Sequence, residues 1–327
     1  MLPRIAYVGT GGTIASLGRD QLDLLDYNAT GERLDAAELI ARTGLSGLIA
    51  DILPVSFRTI DSTALTGTDW ADLAELCAAL ARDPALAGIV IGHGTASLEE
   101  TVWLLSLVLD LAIPVVVTGS MRPLSGLSTD AHANLAAALR VAAAEDARGH
   151  VLAVMNDEIH AARAVTKAHT LRLNAFRSPW LGPVGLVDGD TVDLRRLGAR
   201  AGPARFPVEL LRRLPRVDIA YSHIGADGCA IRAFVQAGAR GIVSAGFGPG
   251  LGTPAEMVAL GGAAAAGIAV VQSSRTGAGK VVDSASGQKL GIIAGGDLSP
   301  QKARILLALC LARGDGPERI AQAFQAS

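Results

Sequence analysis

Short runs of β-branched and other apolar residues alternate along this chain with longer stretches rich in Ala and Leu, and the alternation predicts strands and helices in turn. RIAYVG near the N-terminus reads as a strand, followed by a helix near Ala36–Arg42. WADLAELCAALARD then predicts a helix, AGIVIGHG a strand, SLEETVWLLSLVLDL a helix, PVVVTGS a strand, DAHANLAAALRVAAAEDA a helix and HVLAVMND a strand. The strand runs are continuously apolar, as expected of parallel strands covered by helices on both faces. This order predicts an α/β protein with a doubly wound, mainly parallel sheet.

From about Asp188 the pattern loosens into DLRRLGARAGPARFPVELLRRLP, a polar, Arg-rich, Pro-punctuated stretch that reads in part as a linker. The grammar resumes on a smaller scale with VDIAYSH, AIRAFVQAGA, GIVSAGFG, TPAEMVALGGAAAAG and AVVQSS. SPQKARILLALCLAR is the expected last helix, capped by Ser299 with Pro300 at its first position. The expected organisation is a larger N-terminal α/β domain over 1–193, a linker over 194–214 and a smaller C-terminal α/β domain over 215–327.

Composition narrows the function classes. The 327 residues are half hydrophobic, enough for two domains with substantial cores. A formal net charge of -2, with acids and bases mixed throughout, supplies no basic stripe for nucleic acid. No apolar stretch stays free of polar residues long enough to span a bilayer, so no membrane partner is expected. MLPRIAYVG enters a strand without a signal-peptide core, so the expected location is cytoplasmic. Cys77, Cys229 and Cys310 are odd in number and widely spaced, which argues for buried free thiols rather than a disulfide framework. Neither the cysteines nor His132, His150, His160, His169 and His223 have metal-ligand spacing, so no metal is expected. Trp70, Trp103 and Trp180 read as packing residues, and Asp130, Asp157 and Arg163 as scaffold.

Ligands of open parallel sheets sit beyond the carboxyl ends of the strands. There this chain places Gly9-Thr10-Gly11-Gly12-Thr13, His93-Gly94-Thr95-Ala96-Ser97, Thr118-Gly119-Ser120-Met121-Arg122-Pro123, and Asn156-Asp157 with Lys167 further on. Counted from Gly9, a dinucleotide fingerprint would need glycine where Ile14 stands, and a phosphate-binding P-loop would need a lysine that is missing. A backbone anion cradle is one reading of the first loop. The other is a pair of hydroxyls held where glycines let a small substrate approach closely. A threonine hydroxyl needs a base and an oxyanion site to act as a nucleophile. Thr95 in a second glycine-flanked loop and Lys167, if burial lowers its pKa, are candidates to assist. His93 reads as a structural hydrogen bonder rather than a base.

Gly11-Gly12-Thr13-Ile14-Ala15 after a first strand, His93-Gly94-Thr95 and Leu98-Glu99-Glu100-Thr101 together resemble the bacterial L-asparaginase/glutaminase family. VVVTGSMRP, VMNDEIHAARAVTK, GARGIVSAGFG, VVQSSR and SPQKARILL extend the resemblance in order along nearly the whole chain. It implies an amidohydrolase working on a small amide through an acyl-threonine intermediate, with no metal or organic cofactor. It also implies a homotetramer built as a dimer of close dimers. By the same resemblance Thr13 is the nucleophile, assisted by Tyr27 on a lid (DYNATGERL). Thr95 and Lys167 relay a proton or activate water, and backbone N–H groups of the loop 93–97 stabilise the oxyanion. Ser62 holds the substrate carboxylate, with Thr63 beside it and Gly94 and Ala96 lining the substrate.

The departures carry their own expectation. The family's acid stands where this chain has Ala96, Pro249 occupies the asparagine position of the Gly-rich loop GFGPGLG, and GKVVDSASGQK contains no glutamate. A methyl group does not pair an α-ammonium, and an unpaired buried ammonium costs on the order of 1–3 kcal/mol or more. L-asparagine is the default substrate and atypical specificity is expected. The alternatives are a hydrolase of a non-amino-acid amide or lactam, and a non-catalytic binding or sensor protein on the same fold.

Overall fold

An eight-stranded sheet organises the N-terminal part of the computed structural model, which describes residues 1–197 and 206–326. The chain divides into two units, Met1–Val208 and Glu209–Ser327. Residues 198–205, the middle of the expected linker, lie outside the described residues.

In the first unit Asp51–Ser56, Arg4–Gly9, Leu86–Gly92, Val115–Thr118 and Val151–Met155 lie side by side and parallel. Apart from Asp51–Ser56, where only Ile52 is buried, their apolar runs are buried on both faces: Ile5, Val8, Ile89, Val90, Ile91, Val116 and Val154 are fully excluded from solvent. Helices Gly67–Leu80, Leu98–Val108 and Ala131–Ala143 supply the crossovers, as the alternation predicts. The register is level at the carboxyl edge, with Gly9 beside Ser56 and Gly92, and Gly92 beside Thr118. Consequently the loops that leave these strands emerge next to one another.

Several elements go beyond the sequence pattern. The edge strand Asp51–Ser56 contains Pro54, which removes a donor from the ladder and is tolerated at an edge. Beyond Met155 the sheet turns antiparallel. Asn156 and Asp157 both have positive φ (52° and 61°), and this two-residue turn sends Glu158–Ala161 back along Val151–Met155. Gly185–Asp188 and Thr191–Leu194 complete that half as a second hairpin.

The second unit holds a wholly parallel four-stranded sheet in the order Val217–Tyr221, Gly241–Gly246, Ala269–Ser274, Ile292–Ala294. Ile231, Ile242, Leu260 and Val270 form its core. Pro300–Arg313 is not the last helix, because Pro317–Gln325 follows it. Pro300 stands at the start of its helix as expected, but Ser299 makes no capping bond, and its buried hydroxyl has no hydrogen-bond partner among the described residues. Cys77 and Cys310 are buried free thiols, whereas Cys229 is exposed, at the first position of its helix.

Candidate active site

The loops at the carboxyl edge touch through their glycines. Gly11 and Gly12 have φ of 93° and 81°, a region L side chains rarely adopt, and this turn swings Thr13 into a short 3-10 helix under the sheet edge. A Cβ on Gly12 would stand 2.4 Å from Gly94 Cα, and a Cβ on Gly94 would stand 2.6 Å from Ser62 Oγ. On the other side, a Cβ on Gly119 would stand 2.5 Å from the His93 carbonyl oxygen. The absence of side chains at these positions therefore lets the loops after four neighbouring strands close on one another.

Thr13 and Thr95 lie in this cluster, with only 8 % and 7 % of their surface exposed. Each hydroxyl has its own polar partner. Thr13 Oγ1 is 2.8 Å from the phenol oxygen of Tyr27. Tyr27 begins a four-residue helix inside the segment that leaves the short strand Ser16–Leu17 and returns by Glu32–Arg33. Gly31 permits that return: a Cβ there would stand 1.8 Å from the Leu17 carbonyl oxygen. Lys167 Nζ donates to Thr95 Oγ1 at 2.9 Å from the strand Thr166–Lys167, which pairs with Phe176–Arg177. Burial pushes the Lys167 pKa below the ordinary lysine value, because a desolvated ammonium is disfavoured, and the negative charge of Glu99 pulls it partly back.

His93 holds the second loop from beneath. Trp70 Nε1–H can only donate, and it donates to Thr101 Oγ1 at 3.0 Å. The Gly94 carbonyl, 2.8 Å from His93 Nδ1, can only accept, so Nδ1 carries the proton of the neutral ring, and Nε2 accepts from the Thr101 hydroxyl 3.0 Å away. Full burial depresses the His93 pKa to about 4, keeping the ring neutral. This places His93 where the sequence expects it, as a structural hydrogen bonder.

The other expected residues divide. Ser62 is buried beside Gly94, and its carbonyl accepts a 2.6 Å bond from Ser97 Oγ. Thr63 and Ala96 are exposed. Asp61, an acid near the site, is committed to Arg33 at 2.5 Å. Among the expected oxyanion donors the His93 N–H is already bonded to the Thr118 carbonyl, so that role is left to the rest of the loop. Asp130 accepts from the N–H groups of Met121 and Arg122, which makes it the loop-fixing residue the sequence suggests. Glu99, Thr101 and Asn134 are new. Asn134 donates to the Gly119 carbonyl and accepts from Asn156 N–H, tying two loops to one helix. Glu99 and Thr101 enter the sequence reading only as letters of the motif Leu98-Glu99-Glu100-Thr101, at the start of a helix directly after the second threonine loop, and Asn134 only within a predicted helix; none of their contacts is marked there. Among the described residues no group of His, Cys, Asp or Glu could hold a metal ion. The arrangement presents one hydroxyl paired with a phenol and a second paired with an amine, a set suited to nucleophilic attack and proton transfer.

Residues 4–198 match the family model described as Asparaginase, N-terminal, and residues 216–324 match the Glutaminase/Asparaginase C-terminal domain. The chain is 35 % identical over 329 residues to a glutaminase-asparaginase of Pseudomonas fluorescens biotype A, covering 99 % of this chain and 90 % of that one. It is 37 % identical over 329 residues to a probable periplasmic L-asparaginase of Haemophilus influenzae, covering 99 % and 93 %. The crystal structure of a probable cytoplasmic L-asparaginase from Campylobacter jejuni superposes with a TM-score of 0.91 at 36 % identity, covering 98 % of this chain and 99 % of that one.

Proposed function

The chain belongs to the asparaginase family, and from that premise we propose that it hydrolyses the terminal amide of a small substrate through an acyl-threonine intermediate, releasing ammonia. One observation carries the reading: two buried threonine hydroxyls on touching loops, one 2.8 Å from a tyrosine hydroxyl and the other 2.9 Å from a half-buried lysine. In the first step Thr13 Oγ1 attacks the amide carbonyl. Its proton leaves through Tyr27 and reaches the departing nitrogen, which departs as ammonia. In the second step water attacks the ester; Thr95 and Lys167 take its proton, which passes to Thr13 Oγ1 as the ester bond breaks and the acid is released. Burial favours the neutral amine that this step requires. N–H groups of the loop 93–97 other than that of His93 face the developing oxyanion.

Substrate choice follows from the cluster's polar inventory. Ser62 offers a hydroxyl to a carboxylate, while Ala96 offers only a methyl group where a substrate ammonium would need an acid. Small amides without the α-amino group, with succinamic acid as the simplest, are the expected better substrates. The expected assembly is a homotetramer. No described helix is long and apolar enough to cross a membrane, and a cytoplasmic location is our reading.

The test is an ammonia-release screen over L-asparagine, L-glutamine, succinamic acid and small lactams, run with Thr13→Ala beside the unmodified protein. Release from at least one amide, falling by about a thousandfold or more in Thr13→Ala with the fold intact, is the expected result. No release from any amide would favour a binding or sensor role, and full activity in Thr13→Ala would remove Thr13 from the chemistry.

A further inference from the structure

We propose that Glu99 is a positioning residue for Lys167: its carboxylate anchors the strand that carries the lysine and supplies the negative charge its amine works against. The proposal rests on the reading of Lys167 as the proton acceptor of the second step, and its test separates the two.

Glu99 occupies the first turn of the helix Leu98–Val108, four residues after Thr95, and it is 92 % buried by the complement of its 8 % exposure. A helix N-terminus accommodates a negative charge, but a buried carboxylate still needs a partner. Glu99 Oε1 accepts from the backbone N–H of Lys167 at 3.4 Å, a contact between residues 68 positions apart. Thus one short stretch of chain holds both ends of the lysine: the Thr95 hydroxyl meets Nζ at 2.9 Å, and Glu99 meets its backbone. Phe176 stands opposite Lys167 on the paired strand, and the Arg177 side chain beside it is exposed. Desolvation drives the ammonium toward the neutral amine, and the charge opposing that drive is that of Glu99. Asp61 does not serve, since it pairs with Arg33. The two influences leave Lys167 able to take a proton and still basic enough to hold it, which Ala96 by itself does not arrange.

The three Glu99 variants separate anchor from charge. Glu99→Gln keeps an oxygen for the Lys167 N–H and removes the charge; Glu99→Asp keeps the charge and withdraws it by one methylene; Glu99→Ala removes both. Competitive labelling of the intact protein with acetic anhydride, read by peptide mass spectrometry, reports the free-amine fraction of Lys167 against exposed Lys280. At pH 8 the Lys167 rate relative to Lys280 should rise about tenfold in Glu99→Gln and about twofold in Glu99→Asp. The acid limb of kcat/KM should move to lower pH in Glu99→Gln, with kcat falling several-fold and KM little changed. Glu99→Ala should lose more kcat than Glu99→Gln. Thermal melts identify any variant that does not fold, and either Gln or Asp suffices for the labelling test. A Lys167 labelling profile unchanged in every folded variant overturns the proposal. Altered labelling with an unmoved pH–rate profile upholds it and instead removes Lys167 from the proposed chemistry.

Discussion

His93 illustrates how a single side chain is set by its surroundings. The Gly94 carbonyl accepts from its Nδ1–H, so the neutral ring's Nε2 accepts from Thr101, and burial makes the charged ring costly. Its folded pKa of about 4 lies below the ordinary 6.5, so between these values the unfolded chain binds a proton that the folded chain does not. This contribution is therefore complete above about pH 6.5 and is lost as pH falls toward 4, by about 3 kcal/mol in total. Denaturant unfolding at several pH values should show a shallower acid loss in His93→Asn by roughly that amount; equal slopes would refute the neutral assignment. Ala96 carries the specificity argument at the same scale. Ala96→Asp should raise kcat/KM for L-asparagine relative to succinamic acid by about tenfold or more. Micromolar KM and rapid turnover of L-asparagine by the unmodified protein would instead mean that another acid holds the ammonium.

At the scale of elements, the loops are what the site is made of, and their glycines set how closely they approach. Gly12→Ala places a methyl group 2.4 Å from the Gly94 Cα in a backbone of positive φ, so one of the two loops must move. We expect a loss of about 1–3 kcal/mol in stability and a far larger fractional loss of turnover. Gly44 provides the control: it ends the helix Ala36–Thr43 at φ 64° with nothing within 4 Å of a Cβ. Gly44→Ala should cost about 1 kcal/mol and leave turnover unchanged. Parallel melts and kinetics on the two variants distinguish strain at the site from strain in general. The helices are specified more locally. Asp35, Thr66 and Thr253 each close a capping box with the residue three positions on, so these starts were readable from neighbours alone.

On the scale of the whole molecule, the chain carries two units of similar architecture but different sheet logic, one mixed and one wholly parallel. The mixed sheet brings Lys167 back to Thr95: the reversal at Asn156–Asp157 returns the chain before the strand Thr166–Lys167 begins. Sedimentation velocity at working concentration should give a tetramer, as our reading of the assembly requires. An active monomer would defeat that reading without touching the assignment of Thr13.

The sequence alone determined the α/β class, the order of the parallel strands' apolar runs, most helices of both units and the glycine–threonine loops at the strand ends. Each of these is local: burial on both faces needs a continuous apolar run, a crossover needs a helix, and a close approach needs glycine. Motif order along the chain also marked Thr13, Thr95, Lys167 and Ser62. Tertiary structure decided the rest. The edge strand Asp51–Ser56, interrupted by Pro54, is no part of the sequence pattern and stands only because an edge tolerates the missing donor, and Asn156–Asp157 became a hairpin turn only with a strand to follow. Cys229 and Ser299 differ from their expected places because exposure and capping depend on what packs nearby. The pairing of Lys167 with Thr95 and Glu99, and of His93 with Thr101 and Trp70, joins residues separated by as many as 72 positions. Such contacts are set by strand register and by the packing of helices on the sheet, and no periodicity within either partner's own segment encodes them.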